Sequence, residues 1–251
     1  MFDLKGKTAI VTGATKGIGK GIASGLAEAG ANIILVSRHY DDCAQVALEI
    51  KEKYNVLTLP VKCDILQRSQ LDNLLFRSLE TFGSVDVLVN NAGSAITKKA
   101  EDLTEEDWDR VVNLDLKASF FCAQTIGRQM IQQNRGKIIN IASILGLVAD
   151  KQVLPYVAAK GGVVQFTKAL ALEWAKYNIQ VNAICPGYII TEMNKAELET
   201  DKISKHLLSK IAARRFGKVE DIAGAAVYLA SEESNYMTGH SMVIDGGWCS
   251  E

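Results

Sequence analysis

Residues 7–19 read KTAIVTGATKGIG, an apolar run that stops at Gly13 and is followed by two more glycines, Gly17 and Gly19. The run has the length of a buried strand, and residues 20–27 after it have helical periodicity. Gly13 permits a tight turn, and the later glycines let backbone and helix approach closely. The helix N-terminus then presents unpaired N–H groups and a positive dipole end. This order of elements indicates a site for the pyrophosphate of a dinucleotide.

The second predicted strand ends in Ser37-Arg38, where sites for NAD usually carry an acidic residue that holds the ribose 2′-hydroxyl. Arg38 stands there instead, and Lys16 lies in the glycine turn. Two cations at this corner suit a 2′-phosphate. We therefore predict NADP(H) as the preferred cofactor, with NAD(H) as the alternative.

Apolar strand patterns and helical patterns alternate along the whole chain, which predicts a parallel sheet with helices on both faces. Strands are predicted near 7–12, 32–37, 56–60, 85–90, 136–142, 179–185 and 241–244. Helices are predicted near 17–29, 41–53, 67–82, 104–134, 153–177 and 219–230. The fold class is α/β: a single Rossmann-type, doubly wound domain over residues 1–251, with a seven-stranded parallel sheet.

Ligands in such sheets bind beyond the carboxyl ends of the strands. Asn90, Ser143 and Pro186 each lie just past a predicted strand end, so we expect them to border one cleft. Residues 188–216 are the least regular part of the chain and carry many charges. They are predicted to form a lid over the substrate.

Tyr156 and Lys160 are four residues apart in a predicted helix, so they share one face of it. A free phenol has a pKa of about 10 and is a poor base at neutral pH. A neighbouring ammonium favours the phenolate and lowers that pKa. The pair is therefore suited to general acid–base chemistry.

In this order, the glycine turn, Asn90-Asn91-Ala92-Gly93, Ser143, Tyr156 and Lys160 resemble the motifs of the classical short-chain dehydrogenase/reductases. The likeness covers essentially the whole chain, and the combination is specific although each motif alone is weak. The resemblance implies hydride transfer between nicotinamide C4 and a carbonyl carbon, with no metal.

The resemblance also implies which residues act. The catalytic residues are Asn113, Ser143, Tyr156 and Lys160. Tyr156 would exchange the proton, Lys160 would favour the phenolate, Ser143 would steady the substrate oxygen, and Asn113 would hold a water beside Lys160. The cofactor would be bound by Gly13, Thr15, Lys16, Gly17, Ile18, Gly19, Ser37, Arg38, Asp64, Ile65, Asn91, Ala92, Gly93, Tyr156, Lys160, Pro186, Gly187, Ile189 and Thr191.

Composition gives weaker expectations. The formal net charge is −1, which does not suggest a nucleic-acid partner. The longest apolar run, residues 141–149, is too short to span a bilayer, so no membrane partner is expected. The first residues lack the apolar stretch of a signal peptide, and the five cysteines show no metal or redox spacing. We expect a cytoplasmic protein.

Two substrate classes compete. The length of the lid and the ending Ile244-Asp245-Gly246-Gly247-Trp248 resemble the gluconate-type dehydrogenases, which act on sugar acids or polyols. Leu172 stands where 3-oxoacyl-[acyl-carrier-protein] reductases tend to carry arginine, although Arg128, Arg214 and Arg215 remain as docking charges for an acidic carrier. The preferred NADPH and residues 186–193 favour the acyl reductase. We favour the small polar substrate and keep the reductase as the alternative.

Two further hypotheses concern chemistry and assembly. A nucleotide-sensing scaffold without activity would be expected to lack Tyr156, Lys160 or Ser143, and all three are present. The resemblance also implies a homotetramer built partly by the helices near 104–134 and 153–177. The small residues that would permit close helix contact there are Ala118, Ala123, Gly127, Ala169, Ala171 and Ala175.

Overall fold

Seven parallel strands form one sheet in the computed structural model of the chain, which describes residues 1–192, 194–198 and 200–250. The strands are β1 (Thr8–Thr12), β2 (Asn32–Ser37), β3 (Thr58–Lys62), β4 (Val87–Asn90), β5 (Gly136–Ile141), β6 (Ile179–Pro186) and β7 (Ser241–Ile244). Their order is β3-β2-β1-β4-β5-β6-β7. The predicted fold class is confirmed. The strand predicted near 56–60 lies at 58–62 instead, and Pro60 is tolerated inside it because β3 is at the edge of the sheet.

Helices cover both faces of this sheet. Those described are α1 (Gly17–Glu28), α2 (Tyr40–Tyr54), α3 (Arg68–Phe82), α4 (Glu105–Val112), α5 (Ser119–Gln133), α6 (Leu154–Trp174), α7 (Lys195–Leu198), α8 (Asp201–Lys210) and α9 (Val219–Ala230). Strand residues alternate between the two faces. Ala9 and Val11 of β1 pack with α1, α2 and α9, whereas Ile10 packs with α3, α5 and α6. Both faces are therefore buried, which explains why the strands read as continuous apolar runs.

Two predicted segments differ in detail from the structure. The helix predicted over 104–134 contains a π-helical segment, Asn113–Ala118, between α4 and α5. The predicted lid, residues 188–216, contains α7 and α8, although positions 193 and 199 lie outside the described residues. None of the described helices combines the length and apolarity needed to cross a membrane.

The order of the strands reverses at β1, which pairs with β2 on one side and β4 on the other. A crevice forms at such a reversal, outside the carboxyl ends of the strands. The ends of β1, β4, β5 and β6 bring the glycine turn, Asn91, Ser143 and Pro186 to this crevice. The fold thus gathers motifs that are far apart in sequence at one edge of the sheet.

Candidate active site

The glycine turn after β1 leaves its backbone open at the start of α1. Gly13 and Gly17 have positive φ angles of 64° and 54°, which favour glycine. A Cβ on Gly19 would collide with the carbonyl oxygen of Gly13 and the amide nitrogen of Asn91. Lys16, the N-cap of α1, makes no side-chain capping bond to the first turn. The turn therefore fits a pyrophosphate, since its glycines carry no side chains and no side chain of the N-cap residue covers the first N–H groups of α1.

Buried hydrogen bonds join the glycine turn to the end of β4. The hydroxyl of Thr12 accepts the backbone N–H groups of Asn91 and Ala92 at 3.0 Å and 3.1 Å. The side-chain amide of Asn91 donates to the carbonyl oxygens of Thr12 and Gly13 at 3.0 Å and 3.1 Å. Asn91 and Ala92 therefore fix the shape of the glycine turn, where the pyrophosphate is predicted to bind.

The predicted cations both lie at the exposed rim of the turn. Lys16 and Arg38 are exposed, and neither forms an ion pair with a residue that the structure describes. Asp41 and Asp42 begin α2 and are exposed, without neutralising Arg38. The Ser37 hydroxyl accepts the backbone N–H of His39 at 3.1 Å and holds the loop that carries Arg38.

The predicted adenine contacts follow β3. Asp64 is half-buried, and its carboxylate accepts the backbone N–H of Leu66 at 3.1 Å. Ile65 is buried in the core face formed with α3 and α5. Thr15 lies in the glycine turn itself, and Ile18 packs against the core from the first turn of α1. The contact of these residues with a dinucleotide stays a prediction.

The stretch after β6 reaches back over the glycine turn. A Cβ on Gly17 would lie 3.3 Å from Cγ2 of Thr191, so these two residues are neighbours. The backbone N–H and hydroxyl of Thr191 both donate to the Asn194 side chain, at 2.7 Å and 3.1 Å. Gly187 packs closely against the backbone of Asp245, and Ile189 is buried in the core. Residues 186–191 therefore form one wall of the crevice.

Ser143 and Lys160 meet at the end of β5. Ser143 is buried and accepts the backbone N–H of Leu145 at 3.1 Å, which caps the 3₁₀ helix Ile144–Gly146. The Lys160 ammonium donates to the carbonyl oxygen of Ile141 at 2.9 Å. Nζ of Lys160 lies 5.4 Å from the centroid of the Tyr156 ring. The strand end and the start of α6 are thus joined around one buried cation.

Tyr156 is only half-buried, and its hydroxyl makes no hydrogen bond within the described part of the chain. Burial disfavours the charge of Lys160 more strongly than any other influence. The oxygen of Tyr156 and a nearby carboxylate together outweigh that effect, so the pKa of Lys160 is raised. The arrangement can deliver a proton to, or take one from, a ligand at the phenol.

The carboxylate beside Lys160 belongs to Asp115, a residue that the sequence analysis did not select. Its Oδ2 lies 3.3 Å from Nζ of Lys160, and Asp115 is completely buried. Asn113, which was expected at this place, is half-buried and makes no side-chain hydrogen bond within the described residues. The π-helical segment turns Asp115 inward instead. A signal was present, because Asp115 follows buried Val111 by four residues and so shares its face.

Several charges in and near the lid already have local partners. Arg215 donates to both oxygens of Asp221, at 2.7 Å and 3.0 Å. Arg214 donates to the carbonyl oxygens of Leu208 and Ser209 at the end of α8. Four of the six small residues considered for contact between subunits are buried within the chain, and only Ala169 and Ala175 are exposed.

Comparison with known proteins agrees with this geometry. The family model described as enoyl-(acyl carrier protein) reductase matches residues 13–249. The chain is 43% identical to the 2-dehydro-3-deoxy-D-gluconate 5-dehydrogenase of Bacillus subtilis, over 99% of this chain and 97% of the relative. It is 36% identical to a 3-oxoacyl-[acyl-carrier-protein] reductase of Staphylococcus epidermidis, over 96% of this chain and 98% of that one.

A solved structure has nearly the same backbone. A gluconate 5-dehydrogenase from Burkholderia cenocepacia, crystallised in complex with NADP and tartrate, superposes with a TM-score of 0.96. The two sequences are 35% identical, and the match covers 100% of this chain and 98% of the other. From the family match, these relatives and the shared fold, it follows that the chain belongs to the short-chain dehydrogenase/reductase family and is an NAD(P)-dependent oxidoreductase acting on CH–OH groups.

Proposed function

We propose that this protein interconverts a secondary alcohol and a ketone on a sugar acid or polyol, with NADP(H) as cofactor. The observation that carries the reaction type is the position of the Lys160 ammonium, which is bonded to Ile141, two residues before Ser143, and lies 5.4 Å from the centroid of the Tyr156 ring. There the half-buried Tyr156 hydroxyl makes no hydrogen bond to the residues that the structure describes, while its neighbouring cation is buried.

Each residue then has a definite task. A bound nicotinamide supplies the hydride in reduction and accepts it in oxidation. In reduction, Tyr156 gives its phenolic proton to the substrate carbonyl oxygen as that oxygen becomes negative. In oxidation, the phenolate takes the hydroxyl proton instead. Lys160 stabilises the phenolate, and the Ser143 hydroxyl donates a hydrogen bond to the substrate oxygen.

The cofactor is held by the crevice residues already described. The glycine turn and the first N–H groups of α1 receive the pyrophosphate. Asp64 and Ile65 border the adenine, and residues 186–191 with Asn91, Ala92 and Gly93 border the nicotinamide half. The preference for NADP(H) rests on Lys16 and Arg38, two exposed cations without ion-pair partners in the described residues. A 2′-phosphate would supply the missing counter-charge.

One observation supports the polar substrate over an acyl chain. The B. subtilis relative, which covers nearly the whole chain at the higher identity, is named for a gluconate derivative.

The second candidate is reduction of a 3-oxoacyl thioester on an acidic carrier protein, which the S. epidermidis relative is named for. The local engagement of Arg214 and Arg215 weakens it, because these arginines are already bonded within the chain. Leu172 on α6 is 85% exposed, so the position bears an apolar side chain where a docking cation would be needed.

NADPH consumption by the purified protein would separate the candidates. Ketogluconates and related ketoses would be compared with acetoacetyl thioesters, and NADH would replace NADPH in a parallel set. We expect turnover with keto sugars and NADPH. Turnover confined to thioesters would favour the carrier-linked reduction, and equal rates with NADH would contradict the role of Lys16 and Arg38. Tyr156→Phe should abolish turnover and leave cofactor binding intact.

We further propose a cytoplasmic homotetramer. Its helix contacts would involve exposed Ala169, Leu172 and Ala175 rather than the buried small residues of the same helices. Sedimentation velocity that found only a 27.3 kDa monomer would contradict the tetramer.

A further inference from the structure

A buried carboxylate is in direct contact with the cation that serves Tyr156. Asp115 is 0% exposed and Lys160 is 4% exposed. Oδ2 of Asp115 lies 3.3 Å from Nζ of Lys160, and this oxygen has no hydrogen-bond partner within the described residues. Oδ1 accepts the backbone N–H of Ser94 at 2.8 Å. Removing one member of such a pair leaves the other charge uncompensated in a dry environment.

The surroundings hold the carboxylate in this place. The π-helical segment Asn113–Ala118 directs Asp115 toward Lys160. A Cβ on Gly93 would lie only 2.6 Å from Oδ2 of Asp115, so the loop after β4 closes over the carboxylate. The Ser94 bond anchors the other oxygen. Asp115 is therefore held at a fixed distance from Lys160.

Few other charges act on Lys160. The groups that face it are Tyr156 from α6, Asp115 from the π-helical segment, and Cys185 from β6, together with the carbonyl of Ile141 on β5. Burial raises the pKa of Cys185 to about 11, so the thiol is neutral at ordinary pH. Burial also raises the pKa of Asp115, but the charge of Lys160 and the Ser94 N–H oppose that rise. Tyr156 and the Asp115 carboxylate are therefore the main groups that favour the charge of Lys160 against its burial.

We propose that Asp115 is a positioning residue that sets the pH range of the reaction, because its carboxylate partly neutralises Lys160 and so weakens the pull of that cation on the Tyr156 phenolate. The consequence is that alcohol oxidation requires a higher pH than the Tyr156–Lys160 pair alone would require. The inference rests on the proposed function, since it assigns the same acid–base role to Tyr156.

The kinetic test is the pH profile of kcat/KM for oxidation in Asp115→Asn and Asp115→Ala. Both variants remove the charge, and Asn retains an acceptor for the Ser94 N–H. The apparent pKa of the profile should fall by about one unit in each variant. Below that pKa, kcat/KM expressed as a fraction of its high-pH plateau should then be about tenfold higher in the variant than in the unchanged protein. Lower activity with an unchanged apparent pKa would overturn the proposal, because a purely structural role predicts that result.

A second measurement does not depend on turnover. Ultraviolet titration of the cofactor-free protein, minus the same titration of its Tyr156→Phe counterpart, isolates one phenol among seven. Its midpoint should move to lower pH in Asp115→Asn and stay fixed in Asp109→Asn, a matched change at an exposed position of α4. An unmoved midpoint in Asp115→Asn would contradict the inference even if the enzyme is active. Absence of turnover with every substrate, with the midpoint shifted as expected, would contradict only the proposed function.

Discussion

The crevice at the sheet edge and the segment from Tyr188 to Gly217 are built in opposite ways. The crevice is held by polar contacts at the strand ends, such as Thr12 of β1 to Asn91 after β4 and Lys160 of α6 to Ile141 of β5. The segment has an apolar cluster of its own, separate from both faces of the sheet. Its buried members are Leu198, Leu207, Ile211 and Phe216. In the proposed function, chemistry therefore belongs to the sheet edge and substrate choice to the added segment.

The two regions are joined by a small set of described contacts. Tyr188 donates its hydroxyl to Asp150 at 3.2 Å, and its ring lies 4.9 Å from that of Trp248. Thr191 of the segment lies against Gly17 of the glycine turn, and a bridge between Ile189 and Gly217 closes the segment at its two ends. Changes in the crevice should therefore affect cofactor binding and turnover, whereas changes in the added segment should affect the substrate and local stability.

The largest effect is expected at Gly19 in the crevice. In Gly19→Ala the new methyl group meets the Gly13 carbonyl and the Asn91 amide, neither of which can move without breaking the turn. Overpacking costs about 1–3 kcal/mol, and the turn geometry is lost with it, so NADPH affinity should fall by about 100-fold. Fluorescence titration with NADPH measures this change.

Gly224→Ala is the matched control for that substitution. Gly224 lies in α9, where an added Cβ meets nothing within 4 Å. It should bind NADPH normally and unfold with about 0.5–1 kcal/mol more free energy, because alanine favours a helix. Equal losses in the two variants would mean that the close contacts of Gly19 do not matter.

The next largest effect is expected at Arg38. Arg38→Asp removes an exposed cation from the end of β2 and places an acid there. A charge-assisted hydrogen bond contributes about 1.5–3 kcal/mol, so the NADPH-to-NADH ratio of kcat/KM should fall by about 30-fold. Lys20→Ala is the control. Lys20 lies one turn after Lys16 on α1, but its ammonium is already paired with Glu49 of α2 at 2.7 Å. A ratio unchanged by Arg38→Asp would contradict the NADP(H) assignment.

A smaller effect, of a different kind, is expected at Trp248, which packs against the added segment. Trp248→Ala removes the ring that contacts Tyr188 and lies 5.5 Å from Nζ of Lys210. KM for the carbonyl substrate should rise by about tenfold, while kcat and the KM for NADPH change by less than about threefold. Tyr236→Ala, at a fully exposed aromatic, should leave all three constants unchanged. A fall in kcat alone would show that the segment also positions the catalytic groups.

The sequence predicted the crevice well because its features are local. A strand, a glycine turn and a helix can be recognised from neighbouring residues, and the positions just after apolar runs mark the carboxyl ends of strands. The agreement for Gly13, Ser143 and Pro186 follows directly from that. Asp115 was missed because the family resemblance assigned its place to Asn113, two residues earlier, and the four-residue spacing of Asp115 from Val111 was not used.

The added segment was harder to predict because its helices depend on distant residues. α8 is mostly polar, and it gains stability where Leu207 and Ile211 pack with Phe216 and Trp248. Trp248 is about forty positions further along the chain, so no local pattern reveals the contact. Short helices of this kind form mainly through tertiary packing.

The smallest effect is expected from the ion pair where this segment meets α9. Hydrogen bonds from Arg215, and then from the backbone N–H of Lys218, lower the pKa of Asp221 to about 2. The unfolded value is about 3.9, so the pair stabilises the fold fully above pH 4 and is lost as pH falls toward 2. Arg215→Gln should therefore lower the unfolding temperature by no more than about 2 °C near neutral pH, because both partners are largely solvated. The difference in unfolding temperature between Arg215→Gln and the unchanged protein should shrink as the pH falls from 4 to 2. Arg214→Gln is the control, because it removes bonds only to carbonyl groups, and its difference should not vary with pH. Calorimetry across this pH range measures both differences. A loss of keto-acid turnover in Arg215→Gln would instead place Arg215 on the substrate and contradict its assignment to a purely structural ion pair.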